Sequence, residues 1–160
     1  AAVGDPFQAV AAGLLCGAAE ADQPVLLGGG SQMVAVLTLA LSSLPVLLRQ
    51  RLSQRVLIGT TAWLAQESVV PPAGSMLSRL VALASDRCAV PLAAMACGVR
   101  FSRSRHQQLQ DFERGYVKEG VGAGALLLLA QLQGIPADQL EQRCDQAMDR
   151  LLNAPVGSGA

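Results

Sequence analysis

Residues 24–48 carry no charged side chain, and this run is broken near its start by Gly28, Gly29 and Gly30. An apolar stretch of that length is long enough to cross a bilayer. The glycines, Ser31, Gln32, Ser42, Ser43 and Pro45 cut it into pieces too short for that. The reading that fits is a buried strand over residues 24–28, a glycine turn, and a buried helix that Ser31 caps and that runs to about residue 41. No membrane partner is expected.

The same alternation continues along the chain. Residues 55–59 read as a second buried strand, followed by Thr60 and Thr61. Residues 89–96 are apolar and read as a third strand, with helix the open alternative. Between these lie helical patterns. Asp5 can cap a first helix with Pro6 in its first turn and Gln8 placed to reach back, and Phe7, Val10, Ala11, Leu14, Leu15 and Ala18 recur at helical spacing. Residues 69–74 read as a loop and 75–85 as a helix. Residues 102–114 are polar and read as an exposed helix ended by Gly115. Residues 125–133 form an apolar helix ended by Gly134. Pro136 opens a last amphipathic helix with Leu140, Cys144, Met148 and Leu151 on one face, and the tail from Asn153 is expected to be loose.

Continuously apolar strands alternating with helices mark a parallel sheet covered on both faces. The expected class is α/β, a Rossmann-like three-layer αβα arrangement with a mainly parallel sheet. At 160 residues, residues 1–160 are expected to form a single α/β domain. Ligands on such sheets gather at the carboxyl ends of the strands, where Gly28–Gly30 and Gly59–Thr61 fall.

Composition narrows the function. Twelve basic and twelve acidic residues cancel, so no nucleic-acid partner is expected. Aromatics make up only 3% of a chain that is 51% hydrophobic, so Ala, Leu, Val and Gly must fill the core. Cys16, Cys88, Cys97 and Cys144 show no C-x-x-C pair and there is one histidine, so no metal site is expected. Buried reduced thiols and the absence of a basic, then apolar, leader fit a cytoplasmic setting.

The segment Tyr116-Val-Lys-Glu-Gly-Val-Gly-Ala-Gly-Ala125 places a carboxylate ahead of glycines and a helix. Glu119 there either complements the helix dipole or faces a pocket as a general base. Gly120 and Gly122 would bring backbone close to a ligand. The pattern also matches G-x-G-x-x-A, but the charged residues before it do not read as a buried strand, which weakens a dinucleotide site. Met33 spoils a G-x-S-x-G elbow after Gly28, Gly29, Gly30 and Ser31, so a serine hydrolase is poorly supported. Thr60 and Thr61 either cap a helix or offer groups to a phosphate. His106 lies in a polar run and reads as solvated. Arg100, Arg103 and Arg105 read as a charged helix face.

Four segments in order resemble one family: Gly4-Asp-Pro-Phe-Gln8, Pro24-Val-Leu-Leu-Gly-Gly-Gly-Ser-Gln-Met33, Val56-Leu-Ile-Gly-Thr-Thr-Ala-Trp63 and Gly115-Tyr-Val-Lys-Glu-Gly-Val-Gly-Ala-Gly124. Together they are similar to nicotinate-nucleotide:dimethylbenzimidazole phosphoribosyltransferase, most of all to its archaeal and cyanobacterial branch. The resemblance implies phosphoribosyl transfer from nicotinate mononucleotide to dimethylbenzimidazole or a related base, giving nicotinate and α-ribazole phosphate for cobamide lower-ligand assembly. No cofactor is implied. Glu119 would fall on the catalytic glutamate, taking the proton from one ring nitrogen while the other attacks the anomeric carbon with inversion. Thr60, Thr61 and Ala62 would fall where the family binds phosphate, and Val117 would line the pocket for the flat base. The family's chains are longer and form homodimers, so this chain is expected to be a C-terminal portion, inactive alone. The alternative is a non-catalytic nucleotide-binding or dimerisation domain that retains the fold.

Overall fold

A computed structural model describes residues 5–67, 75–116 and 120–154. Three strands form one parallel sheet in the order β1-β2-β3: β1 is Val25–Gly28, β2 is Val56–Thr60 and β3 is Ala94–Ala96. Val25 pairs with Val56 and Gly28 with Gly59; Ile58 pairs with Ala94 and Thr60 with Ala96. The helices among the described residues are α1 (Pro6–Glu20), α2 (Ser31–Ser43), α3 (Val46–Arg55), α4 (Ala62–Gln66), α5 (Met76–Cys88), α6 (Gln107–Glu113), α7 (Ala123–Leu132) and α8 (Ala137–Asn153). None is long and apolar enough to cross a membrane. The expected α/β class, with a parallel sheet between helical layers, is what this chain adopts.

Strand alternation divides the core in two. Val25, Leu27, Val56 and Ile58 join the cluster built with α1, α2, α3 and α5, in which Leu37, Leu41 and Leu52 are fully buried. Gly28, Gly59 and Leu26 turn to the other face, where α7 lies. A second cluster forms outside the sheet on that side, from Cys97, Val99, Phe101, Leu128 and Leu140 with Leu57 and Trp63 packed against it.

α7 sits unusually close to the strands. A Cβ on Gly59 would stand 2.9 Å from Ala125 Cα, and one on Gly124 would stand 2.4 Å from both Thr60 C and Thr61 N. Only glycine permits backbone approach this near. The same seam continues at Gly28, where an added Cβ would meet Gly122 O at 2.9 Å. Glycines that read in sequence as strand ends, Gly28 and Gly59, and as loop, Gly122 and Gly124, therefore fix the height of a helix above the sheet.

Several boundaries differ from expectation. Residues 46–55, which show no alternation in sequence, form α3 after Pro45, and Arg55 closes that helix instead of opening β2. Residues 89–93 are not strand: α5 runs to Cys88, and Ala89 caps it in the left-handed conformation at φ 53°. Ser85 Oγ then accepts from Leu92 N, turning the chain into a strand of three residues. Gly30 rather than Ser31 occupies the cap of α2, and Ser31 is its first helical residue. α7 begins at Ala123, two residues before the expected start. The α8 face is buried at Leu140, but Leu151 is 69% exposed. Helix continues through Asn153, where a loose tail was expected to begin.

The exposed helix expected over residues 102–114 is only α6. Residues 97–106 are irregular, yet Cys97, Val99, Phe101 and Ser104 are buried. Outside helix and strand the backbone N–H groups have no ladder partner, and helix side chains supply one. Gln131 Oε1 accepts from Gly98 N at 2.7 Å, Glu141 Oε1 from Arg100 N at 2.9 Å, and Glu113 Oε2 from Phe101 N. Arg100, Arg103 and Arg105 thus lie on this segment and not on a helix face. His106, expected to be solvated, is only 11% exposed at its side chain, with Nε2 3.0 Å from Asp149 Oδ1 and 3.2 Å from Asp145 O. The polar pattern that reads as solvent-facing is spent on fastening the segment to α8.

Candidate functional site

The end of β1 runs into Gly29 and Gly30, and both are buried. Gly29 N donates to Gly59 O at 3.0 Å, which keeps the chain on the sheet for one more residue before it turns into α2. Met33 N and Val34 N both donate to Gly30 O. The N–H groups of Ser31 and Gln32 precede these first helical bonds and point out of the helix start, where an anion is favoured by the helix dipole.

Opposite this start stands the loop that leads into α7. Gly120, at φ 89°, needs the left-handed region, and its carbonyl accepts from Ala123 N at 2.8 Å. Val121 O accepts from Gly124 N, and Gly122 O from Ala125 N. The first N–H groups of α7 are therefore already used within its own turn. A ligand between the two loops would find donors on the α2 side more readily than on α7.

The two loops enclose a half-open cavity of about 370 Å³. Residues 28–33 line one side, and Leu64, Glu67, Gly120, Val121 and Gly122 line the other. The structure thus brings together Gly28, Gly29, Gly30, Ser31, Gly120 and Gly122, which are some 90 residues apart in sequence between the two groups. No Lys or Arg is among the described residues that line it. Val117 and Glu119 lie outside the described residues.

Thr60, Thr61 and Ala62 do not line this cavity. They form the joint between β2 and α4, directly beneath Gly124. Neither threonine acts as a side-chain cap: both hydroxyls are fully buried and without a partner among the described residues. Leaving a buried hydroxyl unpaired costs about 1–3 kcal/mol. Cys97 sits beside this joint. Burial pushes its thiol up, while the backbone at Val99 and Ala62 acts in the opposite sense. Cys144 is also pushed up, by burial first and then by Asp145. All four cysteines are free.

A second cavity, of about 300 Å³, adjoins the first and shares Leu64, Glu67 and Val121 with it. Trp63, Glu113, Arg114 and Gly115 complete much of its wall. The Trp63 ring meets Phe112 edge-on at 4.9 Å between centroids and Phe101 at 5.9 Å. Its indole Nε1 is buried and has no partner among the described residues. Sequence reasoning missed this aromatic cluster, of which Trp63 lines the cavity, because its three members come from separate parts of the chain. The only signal was their scarcity.

No protein-family model matches the chain. It is 55% identical over 153 residues to a UPF0284 protein of Prochlorococcus marinus strain MIT 9313, covering 95% of this chain and 38% of that protein. It is 56% identical over 162 residues to a UPF0284 protein of Parasynechococcus marenigrum, covering 99% of this chain and 39% of that one. A UPF0284 protein of Gloeobacter violaceus is 42% identical over 159 residues, with 94% and 37% covered. The name they share states no activity. The chain is therefore closely similar to UPF0284 proteins and spans less than two-fifths of their length.

Proposed function

We propose that this chain is the C-terminal portion of a phosphoribosyltransferase-like protein that moves phosphoribose from nicotinate mononucleotide to dimethylbenzimidazole or a related flat base. The observation that carries the reading is the shared cavity. Two of the four segments that resemble the family, residues 24–33 and 115–124, meet across it at the carboxyl end of β1. That is where ligands of parallel α/β sheets bind.

In this reading the N–H groups of Ser31 and Gln32 meet an anionic part of the nucleotide, and Gly28, Gly120 and Gly122 leave room for it. The adjoining cavity walled by Trp63 receives the flat base. Glu119 takes the proton from the base's N–H. The other ring nitrogen forms a bond to the anomeric carbon as the bond to nicotinate breaks, so the configuration inverts. Thr61 and Ala62 are assigned near the phosphate with Thr60, whose contribution would come through the backbone because its side chain turns to the opposite face of the sheet. The remaining contacts come from the part of the longer protein that this chain does not span, and a homodimer and a cytoplasmic setting belong to the same reading.

Turnover by a protein of the relatives' full length tests this. Nicotinate mononucleotide and dimethylbenzimidazole are expected to yield α-ribazole phosphate and nicotinate in equal amounts, and Glu119→Gln is expected to lose at least about a hundredfold, the usual worth of a positioned general base. Unchanged turnover in that variant would remove Glu119 from its role. Absence of product with several bases, while the nucleotide still binds, would leave the fold as a binding domain.

A further inference from the structure

A third cavity lies on the α5 side of the sheet, and the proposed transfer uses no side chain that lines it. It measures about 260 Å³ and opens between the ends of β2 and β3 and the start of α5. Thr60, Leu77 and Val81 line it and are 0%, 5% and 8% exposed. Ala94, Ser75 and Ser78 complete its rim.

Two independent features of this cavity point to a ligand. The first is the Thr60 hydroxyl. Strand alternation puts it on the same face as Val56 and Ile58, toward α5, and it is fully buried with no hydrogen-bond partner among the described residues. Buried hydroxyls are nearly always paired. The second is the start of α5, a helix of 13 residues. Met76 N donates to Glu67 O and Ser78 N to Ser75 Oγ, whereas the N–H of Leu77 has no partner among the described residues. Thr60 Oγ1–H and Leu77 N–H are both donors, so the group they would receive is an acceptor oxygen. The positive end of the helix dipole favours a negative one. No charged side chain lines the cavity among the described residues; apart from Thr60, Ser75 and Ser78 its wall is apolar. Concave, mostly apolar sites with a few convergent polar groups are how small-molecule ligands are held.

We propose that this cavity binds a short-chain aliphatic carboxylate, its oxygens against Thr60 Oγ1 and the start of α5 and its hydrocarbon against Leu77, Val81 and Ala94. The proposal stands apart from the transfer reaction, since this cavity and the glycine-lined one share no lining residue.

The test is a titration of the 160-residue chain with butyrate, followed by amide chemical shifts. Butyrate is expected to shift Thr60, Leu77 and Ser78 in a saturable way. 1-Butanol, which keeps the hydrocarbon and loses the charge, and inorganic phosphate, which keeps charge without hydrocarbon, are each expected to bind at least tenfold more weakly. Thr60→Val preserves shape, removes the unpaired hydroxyl, and is expected to weaken butyrate at least tenfold without lowering the melting temperature. Should that variant fold poorly, Leu77→Phe, which fills the cavity from the helix side, is expected to abolish the same shifts. Butyrate binding that ignores both substitutions, phosphate binding as tightly as butyrate, or no saturable shift at tens of millimolar would each overturn the proposal.

Discussion

Gly124→Ala should separate α7 from the sheet. The added Cβ would lie 2.4 Å from Thr60 C and Thr61 N and 2.7 Å from Thr60 O, all backbone atoms at the end of the central strand. No rotamer change can relieve such a clash. Ordinary contact begins near 3.4 Å, so helix and strand must part by about 1 Å along this seam. Overpacking of this kind costs about 1–3 kcal/mol, and here the upper part of that range applies because both partners are main chain. The helix gains up to about 1 kcal/mol from losing a glycine, which offsets part of it. A net loss of about 2 kcal/mol should lower the melting temperature by roughly 4–8 °C in a chain of this size. Gly13→Ala in α1 is the matched control. Nothing lies within 4 Å of its added Cβ, so only the helix gain remains and stability should rise by about 0.5–1 kcal/mol. Urea denaturation of the two variants beside the parent chain reads both effects. Equal stability of Gly124→Ala and Gly13→Ala would refute the idea that glycine sets the spacing of α7.

Asp149 supplies a pH test. The Arg105 guanidinium hydrogen-bonded to it holds its carboxyl below the ordinary value, with further help from His106. A depressed carboxylate stabilises fully above its unfolded pKa of about 3.9 and loses that contribution as pH falls through the folded value. Asp149→Asn should therefore be less stable than the parent chain at pH 6, with the gap closing below pH 4 in denaturation curves; a gap independent of pH would contradict the pairing. Cys97 supplies a reactivity test. It is 1% exposed and its thiol is raised by burial, so iodoacetamide at neutral pH should modify it far more slowly in the folded chain than in urea, as peptide mass spectrometry would show. Equal rates in both conditions would place it at an open surface.

The fold was legible because strand and glycine patterns are local. Residues 24–31 announce a strand and a turn, and the structure places both there, although the strand expected to be buried is half-buried and Gly28 at its end is exposed. The helix 46–55 was not legible, since its run Val-Leu-Leu-Arg-Gln-Arg-Leu-Ser-Gln-Arg has one buried residue, Leu52, and joins β2 without a loop. Residues 97–106 misled for another reason. Arg100, Ser104 and His106 look solvent-facing in sequence, but their partners Glu113, Glu141 and Asp145 come from other elements, and long-range pairing leaves no periodic trace. For the candidate site, Gly28–Ser31 and Gly120–Gly122 were legible as loops at helix starts, and their meeting follows from parallel topology. The close approach of Gly59 and Gly124 was not, because a glycine that makes room for a helix is indistinguishable in sequence from one that makes a turn.

The central claim is that the cavity between residues 28–33 and 120–122 receives the nucleotide. Hydrogen exchange of a protein of the relatives' full length, with and without nicotinate mononucleotide, tests this most directly. Slower exchange is expected in peptides covering Gly29 to Met33 and Gly120 to Gly124, with Ser31 and Gln32 the most protected, since their N–H groups at the start of α2 have no partner among the described residues. Protection confined to other segments, with these amides unchanged while the nucleotide is bound, would contradict it.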